Sequence, residues 1–287
     1  MLKQCQLVDR PIVPADASNY PAFLRWDRKL PASNRSVGQL FDAPDGHDSN
    51  QLLKALPPRA VELLADSMEY LSIKRGGSLF EPGDDISSVH FPLGRTVLAF
   101  ALPMRDGAAV EAATVGREGA VGGVISLGHK PAFTRAVVRI PGPVLRIPIG
   151  RIEEVKRSMP QVHDVFSRYA DCLIAQVLQS VGCAAVHTLE ARCARSLLMT
   201  HDRLGTPDLP LTQEALANMF GVARTYVTRV MARLNGRGAV SSRRGVIRIE
   251  SRTVLETISC ECYRMVRLHY DRVLPGLYPV AEAMPLA

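Results

Sequence analysis

The last third of the chain contains a short segment whose apolar positions repeat with helical spacing. In residues 218–234, apolar side chains recur at i, i+3, i+4 and i+7 and so form one stripe that should face a core. They are Val227, Val230, Met231 and Leu234. Arginines stand outside this stripe at positions 224, 229 and 233. The pattern predicts an amphipathic helix whose basic side contacts a partner.

A second short helix is predicted immediately before this one. Thr212 can cap it, Glu214 sits favourably in its first turn, and Gly221 can take the left-handed conformation that ends it. Ala217 is small enough to let the two helices approach each other. The pattern predicts a helix-turn-helix, and an ordinary corner between two helices is the alternative because it would pack in the same way.

Charge separates the two interpretations. Residues 215–249 contain seven arginines and no acidic residue, whereas a solvated face normally mixes both signs. Phosphate neutralisation is therefore the natural use of this segment. The following stretch, GAVSSRRGVIRIES, predicts a strand, a turn at Arg244-Gly245 and a second strand, which together make a wing. Arg243 and Arg244 at its tip should touch phosphates or the adjacent minor groove.

The pattern of apolar and turn-forming residues is different in the middle of the chain. Short apolar runs punctuated by Pro and Gly over residues 70–149 predict one compact antiparallel β-roll or barrel. A short helix with Asn50 as N-cap, interrupted at Pro57-Pro58, should precede it. Residues 1–48 have many prolines and no periodicity, which indicates an irregular extension.

Residues 158–187 predict one long helix that is apolar on more than one side. Ile174 and Leu178 widen its apolar stripe, so the helix needs two surfaces to bury against, and we expect these to be the β-roll and a second subunit. The predicted dimer interface consists of Phe166, Tyr169, Leu173, Val177 and Val181. A single wide core face is the alternative.

Composition supports two globular units with appendages. The chain has 287 residues, 47% of them hydrophobic and 22% charged, and its net charge of +7 permits a polyanionic partner. Since no apolar run of about 18 residues and no secretion signal is present, we expect a cytoplasmic protein without a membrane partner. The predicted domains are an extension at 1–48, an effector-like β-roll at 49–157, a dimerisation helix at 158–187, a winged helix-turn-helix at 188–252, and a C-terminal helix and tail at 253–287.

This arrangement resembles the Crp/Fnr family, named after the cyclic-AMP receptor protein and the fumarate-nitrate reduction regulator. The resemblance covers residues 49–252, and LTQEALANMFGVARTYVTRVMARL is its most specific part. It implies an α+β fold with a cyclic-nucleotide-binding-like β-roll, a long dimerisation helix and a C-terminal winged helix-turn-helix. It also implies a homodimer on palindromic double-stranded DNA, with RNA polymerase as a further candidate partner.

The family's recognition helix reads bases with Arg, Glu and a later Arg. Aligned through Gly221, these places hold Arg224, Thr225 and Arg229. Thr225 cannot accept a hydrogen bond from cytosine as a carboxylate does, although its methyl group can meet thymine. The operator sequence should therefore differ from that of the best-known members. The predicted DNA contacts are Thr212, Gln213, Arg224, Thr225, Tyr226, Arg229, Arg233, Arg243 and Arg244.

The family's cyclic-AMP site is altered in this sequence. Its Gly-Glu and Arg-Ser pairs align with Gly122-Gly123 and Phe133-Thr134, so both charged anchors are missing. We therefore expect no control by cyclic AMP, and the effector stays unnamed. The candidate effector pocket is Glu118, Gly122, Thr134 and Arg135, although the two charged members are better explained as ion-pair or turn residues that support the fold.

No metal or other cofactor is expected. The six cysteines, at 5, 172, 183, 193, 260 and 262, show no disulfide pattern, so reduced thiols are predicted, with a thiol switch at Cys183 and Cys193 as the alternative. Cys260 and Cys262 fall on a predicted helix that ends before Pro275, about 200° apart around its axis, and so should not share one metal. His90, His129 and His187 form no ligand-spaced set. The C-terminal helix itself should brace the wing or reach a partner.

Three function classes remain open at this point. The leading hypothesis is a homodimeric, sequence-specific DNA-binding transcription regulator. The second is a small-molecule receptor whose helical domain mainly mediates protein contacts. An enzyme is disfavoured, because no nucleophile-base spacing, Gly-rich phosphate loop or metal cluster stands out in the sequence.

Overall fold

A computed structural model describes residues 49–105, 109–124 and 127–279. The predicted N-terminal extension lies outside these residues. Two short helices open the described chain, α1 (Gln51–Lys54) and α2 (Pro58–Ala65). Asn50 caps α1 as predicted: its Oδ1 accepts from the Leu53 N–H at 3.0 Å, and its amide donates to the carbonyls of Pro92 and Gly119. This single buried side chain thus fastens α1 to the domain that follows.

Seven strands form the predicted β-roll. They are β1 (Glu69–Ile73), β2 (Ser78–Phe80), β3 (Ser88–Pro92), β4 (Val97–Pro103), β5 (Ala109–Val115), β6 (Arg135–Ile140) and β7 (Gly142–Pro148). They pair antiparallel in two sheets, in the orders β1-β7-β3 and β2-β6-β4-β5. Leu98, Val138 and Val144 are among the buried residues that unite the sheets in one apolar core. The β-roll expected over residues 70–149 is confirmed.

Two consecutive helices leave the β-roll, α3 (Ile149–Ser158) and the long α4 (Pro160–Val186). Met159 has extended backbone angles and separates them, and Pro160 occupies the first turn of α4, where its missing N–H costs nothing. The inner face of α4 is tied to the β-roll by side chains. Tyr169 Oη donates to the Ala120 carbonyl at 2.8 Å, and Gln176 Nε2 donates to the Thr114 carbonyl at 3.0 Å.

The second domain follows directly. It consists of α5 (Leu189–Leu204), β8 (Asp208–Leu209), α6 (Gln213–Phe220), α7 (Arg224–Gly236), β9 (Val240–Arg243) and β10 (Val246–Ile249). The three strands form one antiparallel sheet in the order β8-β10-β9. Its apolar core includes Leu197, Leu216 and the α7 stripe identified above. The helix-turn-helix and its wing are thus formed as the sequence predicts.

The C-terminal segment differs from the prediction of one continuous helix. It forms two helices, α8 (Arg252–Ile258) and α9 (Cys262–Val273), because Ser259 takes an extended conformation between them. Helix α8 packs on α5, whereas α9 packs on α4. Val266, Tyr270 and Tyr278 enter the apolar core that also holds Phe166. This segment therefore braces the junction of the two domains, and Leu255 also joins the apolar core that holds Val240 and Ile247 of the wing strands.

The predicted dimer interface is wrong at Phe166 and Tyr169. Both side chains are fully buried inside one chain, because α9 and the β-roll cover this side of α4. Leu173 and Val177 are half-buried and Val181 is exposed. The exposed apolar stripe lies further around the helix, where Ile174, Leu178 and Val181 are 53%, 66% and 65% exposed. Hydrophobic spacing identifies an apolar helix but does not say which of its faces meets the chain's own core.

A buried ion pair joins the second domain to the β-roll. Arg203, near the end of α5, places its Nε 2.7 Å from Glu118 Oε1, and both side chains are almost inaccessible to solvent. Arg203 Nη2 also donates to the Thr114 carbonyl at 3.0 Å. A buried charge without its partner destabilises the fold. Replacing either residue alone would therefore leave the other charge buried and unpaired.

Replacing Arg203 by Met should destabilise the protein severely. The substitution leaves the Glu118 carboxylate buried without its cation, and such changes cost about 3–5 kcal/mol. Urea unfolding at fixed protein concentration measures the loss. The control is Arg168→Met, which breaks the exposed pair with Asp164 and should change the free energy of unfolding by only about 0.5 kcal/mol. Equal effects of the two substitutions would contradict the importance of the buried pair.

Candidate nucleic-acid interface

The helix-turn-helix is shaped by two local conformations. Thr212 caps α6, since its Oγ1 accepts from the Ala215 N–H at 3.0 Å. Gly221 ends the helix in the left-handed conformation, with φ 63° and ψ 39°, and lets the chain reverse into α7. A Cβ at this position would also meet Val110 at 2.9 Å. Both caps agree with the sequence-based prediction.

Helix α7 presents a basic and hydroxyl-bearing face to solvent. Val227 and Leu234 are fully buried against the rest of the domain, while Arg224, Thr225 and Arg229 are exposed. Tyr226 is 58% exposed, and the Arg229 guanidinium lies 5.8 Å from the centre of its ring. The residues predicted to read bases thus share the accessible side of one helix.

The wing brings two further arginines beside the same surface. Strands β9 and β10 meet at a tight turn in which Gly245 has a φ of 77°, and Arg243 and Arg244 are exposed there. A cleft of about 320 Å³ separates the wing from the start of α6 and α7. Its lining includes Thr212, Gln213, Glu214, Arg224, Arg243 and Arg244. Five of the nine predicted DNA contacts therefore converge on one concave surface.

Gln213 is held in place by the neighbouring helix. Thr228 Oγ1 donates to the Gln213 Oε1 at 2.9 Å, which fixes the amide at the first turn of α6. The Gln213 amide nitrogen is the remaining donor of that side chain. A fixed donor at a helix start suits contact with an oxygen of a phosphate.

Three of the seven arginines are partly neutralised, which the sequence segment alone does not reveal. Arg233 and Arg237 lie 3.6 and 3.5 Å from carboxylate oxygens of Glu190, and Arg248 contacts Asp208 at 2.8 Å. The acidic partners lie outside residues 215–249, so counting charges within that segment missed them. The other four have no ion pair with any acidic residue that the structure describes; they are Arg224, Arg229, Arg243 and Arg244.

Known proteins match both this domain and the whole arrangement. A family model described as the Crp-like helix-turn-helix domain matches residues 191–258. The global nitrogen regulator of Nostoc sp. is 27% identical over 180 residues, which cover 59% of this chain and 80% of that protein. The global nitrogen regulator of Synechocystis sp. is 26% identical over 177 residues, covering 58% and 78%. The chain thus contains a Crp-like helix-turn-helix domain and is similar to transcription regulators of the Crp/Fnr type.

Solved structures of Crp/Fnr-type regulators share its fold. FixK2 from Bradyrhizobium japonicum superimposes with a TM-score of 0.59 at 15% identity, covering 67% of this chain and 98% of that one. A CRP/FNR transcriptional regulator from Thermus thermophilus gives a TM-score of 0.54 at 18% identity, covering 67% and 98%. These likenesses confirm the architecture predicted from the sequence.

The predicted effector-pocket residues of this chain are engaged in separate contacts. Glu118 is buried against Arg203, as described above, whereas Arg135 Nε lies 2.6 Å from Glu81 Oε2. Gly122 has a φ of 138°, and a Cβ there would lie 2.7 Å from the Ser88 carbonyl oxygen. Thr134 is half-buried beside the exposed Phe133. The two charged side chains therefore support the fold and do not face each other across a pocket.

The described cysteines fall into two groups, isolated buried thiols and thiols that lie close together. Cys172 and Cys193 are fully buried, and burial raises the pKa of each thiol to about 12, so both stay protonated near neutral pH. Cys193 is therefore a poor member of a thiol switch. Burial also raises the pKa of the Cys183 and Cys260 thiols, but these two residues differ in position, because they converge with Cys262 and His187. The expectation that Cys260 and Cys262 point apart is wrong, because the break between α8 and α9 lets both turn to the same side.

Removing the wing arginines should weaken DNA binding without changing sequence preference. The double variant Arg243→Ala and Arg244→Ala loses contacts to phosphates, so the affinities for a preferred site and for unrelated DNA should fall together. The slope of log affinity against log salt should decrease by about 0.9 for each lost phosphate contact. Salt-dependent binding titrations measure both effects. The control is Arg59→Ala with Arg157→Ala, which removes two exposed charges from the β-roll side and should leave the slope unchanged.

Proposed function

We propose that this regulator acts as a homodimer that binds a palindromic operator sequence-specifically. Helix α7 enters the major groove, and the wing contacts the flanking backbone. The observation that carries the proposal is the shared surface of α7, the start of α6 and the wing, which presents four arginines without acidic partners among the described residues. Such a surface matches a recognition helix flanked by phosphate contacts.

The base-reading residues are Arg224, Thr225 and Arg229. An arginine can donate two hydrogen bonds to guanine O6 and N7, and a threonine methyl can contact the methyl group of thymine. Arg224 opens α7, and the N-terminal end of a recognition helix is the end that contacts base edges. Tyr226 supports Arg229 through the cation–π contact described above. Arg233 is held towards Glu190 and so contributes less than the sequence suggested.

Homodimer formation rests on the outer face of α4. Ile174, Leu178 and Val181 follow one another at intervals of four and three residues, which is the spacing of an interhelical seam. Covering this stripe with the same helix of a second copy buries it on both subunits through a two-fold axis. The same axis places two α7 helices about one helical turn of DNA apart, or roughly 34 Å.

Helix α4 is also long and apolar enough to cross a membrane, with a mean hydropathy of 1.3 over 18 residues. The contacts of α4 favour a role in the dimer interface over a membrane-spanning role. Its inner face is buried by β5 and α9, and the Arg168–Asp164 ion pair lies on its surface. We therefore place the regulator in the cytoplasm, where DNA and RNA polymerase are its partners and where it acts by binding, without catalysing a reaction.

A ligand receptor is a second candidate function, because a cleft lies between the two domains. It has a volume of about 240 Å³ and is bounded by β5, α4, α5 and α6. Arg139, Arg192 and Arg195 line it together with apolar side chains. A small acidic molecule bound there would contact both the β-roll and the DNA-binding domain. This function is compatible with DNA binding and would make the cleft the effector site.

Substituting the base-reading arginines should abolish operator selection. Purified ligand-free protein is used to capture sheared host DNA at moderate salt, beside the double variant Arg224→Ala and Arg229→Ala. We expect the wild type to enrich one short inverted repeat and the variant to lose that enrichment, because each lost contact removes about 1–3 kcal/mol of discrimination.

The Arg59→Ala with Arg157→Ala protein serves again as the control, since it loses the same net charge. It should retain the inverted repeat. Loss of enrichment in both double variants would show that total charge governs binding and that α7 does not read bases. Enrichment of no repeat by the wild type would contradict ligand-free operator binding and favour the receptor function.

The dimer interface is tested by Leu178→Glu. Placing a carboxylate in the apolar seam should convert the dimer to a monomer, as measured by analytical ultracentrifugation, because two like charges would be buried face to face. Leu178 is exposed within one chain, so its own fold should be unaffected. Phe133→Glu, which changes another exposed apolar residue that is not part of α4, should leave the dimer intact. A dimeric Leu178→Glu protein would contradict the proposed seam.

A further inference from the structure

Four potential metal ligands meet where the long helix ends. Cys183 lies in the last turn of α4, and His187, four residues later, caps that helix. Cys260 and Cys262 lie at the break between α8 and α9. One ligand atom from each residue lies within 4.8 Å of every other. Residues from two separate parts of the sequence thus surround one point.

The spacing of these atoms suits a single ion. Cys183 Sγ and Cys260 Sγ are 3.5 Å apart, as are Cys262 Sγ and His187 Nδ1. Around a tetrahedral zinc ion, with Zn–S near 2.3 Å and Zn–N near 2.0–2.1 Å, ligand atoms stand about 3.5–3.8 Å from one another. Ligand atoms of this cluster that are up to 4.8 Å apart need to approach each other by only about 1 Å to reach that geometry. An iron-sulfur cluster, which spreads its ligands over several irons, would need a wider arrangement.

The neighbours of the cluster fit a metal centre as well. His187 turns Nδ1 towards the thiols, while its Nε2 lies 3.2 Å from Glu261 Oε2. A carboxylate on the far side of a ligating histidine fixes its orientation and raises its basicity. Gln179 Nε2 lies 3.0 Å from Cys262 Sγ and can donate to a thiolate. The three sulfur atoms belong to residues that are at least 93% buried, so the site is shielded from competing ligands.

A buried arginine completes the charge balance. One zinc ion with three thiolates and a neutral histidine carries one net negative charge. Arg195 is 8% exposed, and its Nε and Nη1 have no hydrogen-bond partner among the described residues. The positive charge of Arg195 favours the thiolate form of Cys183. An anionic zinc-thiolate centre near Arg195 would offer a countercharge to this guanidinium, two of whose nitrogens lack a hydrogen-bond partner.

We propose that Cys183, His187, Cys260 and Cys262 bind one structural zinc ion. All four coordination positions are filled by protein, which is the arrangement of a structural site and leaves no position for substrate. The ion joins the end of α4, the linker to α5 and the start of α9. It therefore fixes the junction through which the β-roll and the DNA-binding domain are connected.

Metal analysis of the full-length protein tests the proposal. The protein is purified without chelators under reducing conditions, and its zinc content is measured by mass spectrometry. We expect about one zinc per chain in the wild type and less than about a tenth of that in Cys183→Ala and in Cys260→Ala. Cys172→Ala and Cys193→Ala are the controls, because they remove equally buried cysteines outside the cluster and should retain the metal.

Cobalt substitution keeps the test independent of how well the variants fold. Co²⁺ bound to the wild-type protein should give a thiolate-to-cobalt charge-transfer band and the intense visible bands of tetrahedral coordination. Either the absence of stoichiometric zinc together with a cobalt spectrum lacking these bands, or zinc retained by every variant, would overturn the proposal. A Cys183–Cys260 disulfide in the freshly purified protein, detected by mass after alkylation, would also overturn it. None of these measurements depends on DNA binding.

Discussion

Helix α4 has apolar residues on two faces, and a single chain buries only one of them. The inner face, with Phe166 and Tyr169, is closed by the β-roll and by the C-terminal helix α9. The outer stripe around Leu178 stays exposed. In the homodimer proposed above, another copy of α4 buries that second face and sets the symmetry axis, and the axis in turn sets the spacing of the recognition helices. Within one chain, the arrangement of the β-roll and α9 depends on the inner face of this helix.

The position of the DNA-binding domain is fixed by contacts that close the junction from several sides. The Arg203–Glu118 pair connects α5 to the β-roll, and α6 packs directly against β5. Helices α8 and α9 then contact α5 and α4 respectively, so one short segment spans both domains. Since α7 is packed on α6, the orientation of the recognition helix follows from the β-roll. The contacts at the junction therefore set where the DNA-binding surface lies relative to the β-roll.

Much of the fold could be predicted from the local sequence, because helix caps, tight turns and the Pro and Gly residues that end strands act over a few neighbouring positions. Thr212, Gly221 and Asn50 define their helix ends through their own conformational preferences. The errors arise where the deciding partner is distant in sequence. Periodicity could not show that α9 covers Tyr169, and a charge count over one segment could not include Glu190 or Asp208. The convergence of Cys260 and Cys262 depended on a break at Ser259, which apolar spacing across residues 255–266 conceals.

The β-roll keeps the family's shape while its charged residues serve other purposes. Arg135 is paired with Glu81, and Glu118 is paired with Arg203, so neither is available to hold a sugar or a phosphate without breaking an existing ion pair. A ligand that displaced either partner would first have to compensate for the lost ion pair. In the cleft between the domains, Arg139 is paired with Glu111, but Arg192 and Arg195 form no ion pair with an acidic residue that the structure describes, so a ligand could contact them without that loss. A small acidic ligand therefore disrupts fewer existing ion pairs in the cleft at the domain junction than inside the β-roll.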